Sequence, residues 1–151
     1  VTPFVAEQFP GIFTEPAAII RTVVARRTFW EKATILHAEY HRPLAKPLLS
    51  RYSRHYADLA AMAQASVKDE ALADIDLLHD VCVHKDRFYH CGWARYMEAK
   101  PGGFHLLPQD DRLATLLRDY QAMGVMFFAK PPSFDQVLDI LDKLEKEING
   151  K

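Results

Sequence analysis

Apolar residues recur at helical spacing through most of the chain, and the interruptions between the runs are sharp. Residues 1–17 are the exception: Pro3, Pro10, Gly11 and Pro16 break any period, so this segment reads as irregular. Residues 19–24 (Ile19, Ile20, Arg21, Thr22, Val23, Val24) are rich in β-branched side chains and predict a strand. A lone strand cannot satisfy its own backbone, and the sequence after it supplies few partners, so a sheet outside the chain is expected. A helix is expected to open at Thr28, where Thr28 and Glu31 form a capping box, and to stop near His41, before Pro43. Beyond a Pro-bounded loop the spacing predicts helices over 50–66 and 69–89. In the second, Leu72, Ile75, Leu78, Cys82 and Val83 mark the apolar stripe. A short helix over 93–99 follows, then a break at Pro101, Gly102 and Gly103 and an extended stretch at 104–107. A helix over 110–126 carries Leu113, Leu116, Leu117, Tyr120 and Met123. Pro131 and Pro132 end it, and Ser133 with Gln136 caps a last helix that Gly150 closes.

Composition narrows the class without naming a chemistry. A chain of 151 residues has room for one core. Its 19 Lys and Arg nearly balance 20 Asp and Glu, so no global charge draws it to nucleic acid or to a membrane surface. The longest apolar runs fall well short of the roughly 18–20 residues that span a bilayer, and no charged-then-apolar leader opens the chain. Cys82 and Cys91 form no CxxC pair, which leaves a zinc ribbon and a disulfide framework unsupported and fits a reducing cytoplasm, with Cys82 as a small buried residue. The chain opens on Val1 rather than Met, which fits part of a longer protein.

The densest polar signal lies on the first two long helices. Lys32 stands among Phe29, Trp30, Ala33, Ile35 and Leu36, with Glu39 two turns on along nearly the same face. Arg51, Arg54, His55 and Asp58 fall at i, i+3, i+4 and i+7 of the helix expected over 50–66. Two guanidiniums and an imidazole beside one carboxylate suit phosphate oxygens, while a solvated, salt-bridged helix face accounts for the same spacing.

Arg27-Thr28-Phe29-Trp30-Glu31-Lys32-Ala33, then Leu36-His37-Ala38-Glu39 and His41-Arg42-Pro43, resembles the third motif of the AbiEii/AbiGii toxin nucleotidyltransferases. Arg51-Tyr52-Ser53-Arg54-His55-Tyr56-Ala57-Asp58-Leu59 resembles the fourth, and the run through Asp119-Tyr120 and Pro131-Pro132-Ser133-Phe134 to Leu144-Glu145 and Asn149 is similar to that family's tail. The resemblance implies a two-lobed enzyme. An amino-terminal sheet lobe would carry a Gly-Gly/Ser turn and an Asp-x-Asp pair for two Mg²⁺ ions, and a helical carboxy-terminal lobe would grip the nucleoside triphosphate (NTP). It further implies transfer of a nucleotide to an acceptor such as RNA, a cognate antitoxin, and a role in phage defence. Lys32 and Asp58 would be the catalytic pair, and Arg51, Arg54 and His55 would bind substrate. Many relatives have a second acid where His55 stands and an aromatic at Ala57.

This chain has no Gly-rich turn followed by Asp-x-Asp. Its only such pair, Asp74-Ile75-Asp76, is expected inside a helix, where the two side chains diverge by about 200°. The reading is therefore a mainly α, multi-helix lobe with one or two short strands, the carboxy-terminal half of such a transferase and inactive alone. Residues 1–26 would form an extended segment against a missing amino-terminal sheet lobe, and 27–151 the helical lobe. Mg²⁺ and NTP would serve the intact enzyme, with no metal ligand assigned here. Two rivals stand beside it. His37, His79-Asp80 and Asp119 follow the order of an HD-type metal phosphohydrolase, and His37 with His41 matches zinc spacing without the HExxH glutamate. A non-catalytic partner-binding module would use the aromatics Phe88, Tyr89, Trp93, Tyr96, Phe127 and Phe128, residues that otherwise fill cores.

Overall fold

The computed structural model describes residues 1–127 and 130–150. Among them are seven α-helices and no strand. They are α1 (Phe4–Gln8), α2 (Ala25–Tyr40), α3 (Arg54–Ala63), α4 (Val67–Leu72), α5 (Ile75–Phe88), α6 (Asp110–Ala122) and α7 (Phe134–Ile148), with 3-10 turns at Tyr96–Glu98 and Gly124–Met126. Among the described residues no helix is long and apolar enough to cross a membrane.

The centre of the core is α2, which packs on α3, α4 and α5. Phe29, Trp30, Ala33 and Leu36 are each fully buried, and the Trp30 indole donates to the Ala71 carbonyl at 3.2 Å, tying α2 to α4. α7 packs chiefly on α3 through Phe134, Val137, Leu141, Leu144 and Ile148, a stripe at alternating spacings of three and four. The capping box expected at Ser133 and Gln136 is present, and Gly150 follows the helix with φ +68°.

Several boundaries differ from expectation. The 19–24 segment forms no strand. Ile19 is fully exposed, Ile20, Val23 and Val24 are more than half exposed, and no neighbouring strand accepts its backbone. α2 begins at Ala25 rather than Thr28, with no side-chain cap, because Glu31 turns to Arg27 (3.1 Å) one turn back instead of closing on Thr28. The helix expected over 50–66 is confined to Arg54–Ala63. Arg51 sits in the left-handed region (φ +61°), and the turn around it is gathered by Asp119 of α6. That carboxylate accepts from the Arg51 amide (2.6 Å), the Ser53 amide (2.9 Å) and the Ser53 hydroxyl (2.6 Å). Burial opposes its charge, but these hydrogen bonds prevail and hold it below the usual carboxylate range.

The helix expected over 69–89 is two helices, because Asp74 leaves the helical path and caps α5 by accepting from the Leu77 amide at 3.2 Å. The 93–99 helix shrinks to a single 3-10 turn after Arg95, which is also left-handed (φ +48°), and α6 ends at Ala122 rather than near 126. The stretch at 104–107 joins no sheet. Side chains serve its backbone instead: Asn149 both donates to and accepts from Phe104, Glu145 accepts from Leu106 (2.5 Å) and Leu107 (3.3 Å), and His37 Nδ1 accepts from His105 (3.3 Å).

Two stability predictions follow from these contacts. His37 is fully buried, with Nδ1 facing the His105 amide and Nε2 facing the Arg95 carbonyl at 3.3 Å, so its neutral Nε2–H form fits the site. Burial, reinforced by neighbouring His41, lowers its pKa from 6.5 to about 4. The unfolded chain takes up that proton first, so the stabilisation is complete above about pH 6.5 and drains away as pH falls towards about 4. Thermal melts of His37→Gln between pH 7.5 and 4.5 should show a shallower pH dependence than the parent; equal slopes would refute the assignment. Removing the Asp119 carboxylate strands three donors, so Asp119→Ala should cost about 2–3 kcal/mol in urea unfolding with little change in the m-value.

Candidate functional site

α2 and α3 pack against each other, and their seam brings the two motif segments together. Lys32 leaves α2 on the flank of its buried stripe, and its ammonium donates to Asp58 Oδ2 at 2.6 Å and to His55 Nδ1 at 3.2 Å, both on α3. A proton on Nδ1 would collide with that ammonium, so His55 is neutral with its hydrogen on Nε2. Burial first, then the charges of Lys32 and Arg54, lower its pKa to about 4. Asp58 and Arg54 are exposed.

The predicted face is thus only partly one helix face. Arg54, His55 and Asp58 share α3, whereas Arg51 precedes the helix in the left-handed turn that Asp119 holds. Glu39 does not join Lys32. It is buried and takes a two-point ion pair from Arg42 (2.7 and 2.8 Å), whose guanidinium lies 4.5 Å from the centre of the Trp93 ring.

Lys85 of α5 escaped the sequence reading. It is only 8% exposed, its ammonium donates to the Glu31 carbonyl at 2.7 Å, and it lies 5.7 Å from the centre of the Tyr96 ring. Burial lowers its pKa to about 8; Glu31 opposes that shift and Lys32 adds to it. The charge of Lys85 in turn helps keep His55 neutral. A signal was present: Lys85 follows Leu78, Val81 and Cys82 at +7, +4 and +3, in register with the buried face of α5.

The metal readings do not fit this arrangement. His37 spends both ring nitrogens on backbone groups, His79 and Asp80 are exposed on α5, and Asp119 is committed to the turn before α3, so the HD-type constellation does not assemble. Asp74 caps α5 and pairs with Arg26 at 3.2 Å, and Asp58 is bound to Lys32. Among the described residues no group of three or more His, Cys, Asp or Glu is placed to hold a metal ion. Of the aromatics considered as a partner surface, Phe88 and Tyr89 are exposed, Trp93 and Tyr96 are half-buried and Phe128 lies outside the described residues. The seam therefore offers ammonium, guanidinium and imidazole donors around one carboxylate, an arrangement suited to phosphate oxygens.

No curated protein and no solved structure matches the chain significantly. Residues 1–140, nearly the whole length, match the family described as nucleotidyl transferase AbiEii toxin, type IV toxin–antitoxin system. The chain therefore belongs to the AbiEii nucleotidyltransferase toxin family.

Proposed function

We propose that the chain is the triphosphate-gripping helical lobe of an enzyme that moves a nucleotide from an NTP to an acceptor, RNA being the favoured class. The observation that carries this reading is the Lys32 ammonium, held 2.6 Å from Asp58 and 3.2 Å from His55 between the two motif segments. Nucleotidyl transfer needs cations on the departing pyrophosphate and little covalent chemistry from side chains. Lys32 would contact the triphosphate, Arg51 and Arg54 would extend the cationic edge, and neutral His55 would offer its Nε2–H. Asp58 would hold Lys32 extended towards the substrate.

The Mg²⁺ ions of such an enzyme have no seat among the acids described above, so the Asp-x-Asp pair belongs, in this reading, to an amino-terminal sheet lobe. The exposed 19–24 segment would add to that sheet, and the chain alone would be inactive. A cognate antitoxin, a cytoplasmic setting and phage defence complete the proposal by family likeness. Partner binding without catalysis is the second reading, favoured by the apolar exposure of Phe4, Phe9, Ile12 and Ile19.

Binding of inorganic tripolyphosphate in EDTA, followed by calorimetry, tests the grip. Lys32→Ala should weaken it about tenfold or more, as loss of a charge-assisted contact implies, with the Tm changed by only a few degrees. Unchanged affinity would remove Lys32 from the triphosphate site. The chain alone, given labelled NTP, RNA and magnesium, should transfer nothing; robust transfer would sink the divided-lobe reading.

A further inference from the structure

Beside the Lys32 cluster, on the other flank of α2, lies a cleft of about 310 Å³ lined by Glu31, Ile35, His84, Lys85, Tyr89 and Tyr96. Its volume is that of a small-molecule site, and its walls combine aromatic and aliphatic surface with one buried cation. That cation is the unusual part. Lys85 is more than nine-tenths buried, yet among the described residues it has no carboxylate partner. The nearby acids are engaged elsewhere, Glu31 with Arg27 at 3.1 Å and Asp86 with His90 at 3.0 Å. One of its three N–H groups goes to the Glu31 carbonyl, which leaves two donors without an acceptor among the described residues. A buried cation balanced by a carbonyl and a ring face is costly unless something else completes it.

We propose that this cleft binds a nucleobase: the Tyr89 and Tyr96 rings supply aromatic surface for stacking, and Lys85 donates to an acceptor on the edge of the base. The inference rests on the Lys32 reading for its direction, since it makes the base and the triphosphate of one nucleotide fall on opposite flanks of α2. Glu31, which lines the cleft and accepts from Lys85, directly precedes Lys32 on α2, which places the cleft beside the cluster rather than across the molecule. Tyr89 is exposed and, with His84 at a ring separation of 6.2 Å, presents an aromatic surface to which any base can stack.

The test compares UTP with inorganic tripolyphosphate on the whole chain in EDTA, with Tyr89→Ala and Lys85→Met as variants. Tyr89 is exposed and Met fills the volume of the Lys85 stem, so both variants should fold. UTP should bind about tenfold more tightly than tripolyphosphate, the worth of one stacked base. Each variant should bring the two ligands to nearly equal affinity, and Tyr89→Ala, which removes no charge, should do so without weakening tripolyphosphate. If tripolyphosphate binds and UTP gains nothing, or the variants leave the gain intact, the nucleobase site is overturned while the phosphate reading stands. If UTP binds through Tyr89 and Lys85 but tripolyphosphate does not bind, the phosphate reading falls and the nucleobase site stands. If neither ligand binds, both fall.

Discussion

The burial of one face of α2 constrains everything around it. Phe29, Trp30, Ala33 and Leu36 are each removed completely from solvent. A helix that gives up that much apolar surface must be covered on several sides at once, here by α3, α4 and α5. Residues on the flanks of its stripe are then forced to the seams between helices. Lys32 lies at the α2–α3 seam, and Glu31 presents its carbonyl to Lys85 at the α2–α5 seam. The cation cluster is therefore a by-product of where the core lies. Long basic side chains reach from a seam to solvent at little cost because their stems are apolar.

The second constraint is the backbone that no helix serves. Residues 104–107 run along the core, with Phe104 and Leu106 fully enclosed and His105 and Leu107 half-buried, and a strand there would need a sheet. Instead Asn149, Glu145 and His37 act as side-chain partners for its amides and carbonyls. Asp119 does the same for the turn before α3, and so sets where that helix begins and how Arg51 leaves it. Buried or half-buried polar residues that pattern-reading takes for candidate chemistry are here spent on main-chain groups. Such bonds are costly to leave unmade, which explains why these residues stand where they do.

The same contacts explain how much was legible in the sequence. The last helix was readable in full because its stripe, its capping box and its closing glycine all point the same way. α2 was readable as a helix but not at its start, since the Thr28–Glu31 pattern competes with an Arg27–Glu31 pair that only side-chain geometry decides. The division of 69–89 hinged on Asp74, whose capping role looks from sequence like a polar position on a continuous helix. At the site, Lys32, His55 and Asp58 could be brought together because they sit in motif segments with fixed helical spacing. Arg51 was misplaced because nothing local betrays a left-handed residue held by a carboxylate 68 positions away. Lys85 was overlooked because hydrophobic pattern-reading discards a lysine on an apolar face, although that is where a buried cation belongs.

The pairing of Lys32 with Asp58 and His55 also limits what the cluster can do alone. An ammonium has three hydrogens, and two of them are directed to these partners, leaving the third for an incoming oxygen. His55, kept neutral by burial and by the Lys32 ammonium facing its Nδ1, can only donate from Nε2. A triphosphate arriving at such a surface meets donors in several directions and one exposed carboxylate that repels it. That carboxylate lowers the net attraction, but Lys32, Arg51 and Arg54 outnumber it, so the surface still draws a polyanion while Asp58 fixes where the Lys32 ammonium points. Under the proposed reading, metal-bearing acids supplied from another lobe would neutralise the charge that these cations leave over, so the carboxylate of this chain serves to position Lys32 and not to hold a metal ion.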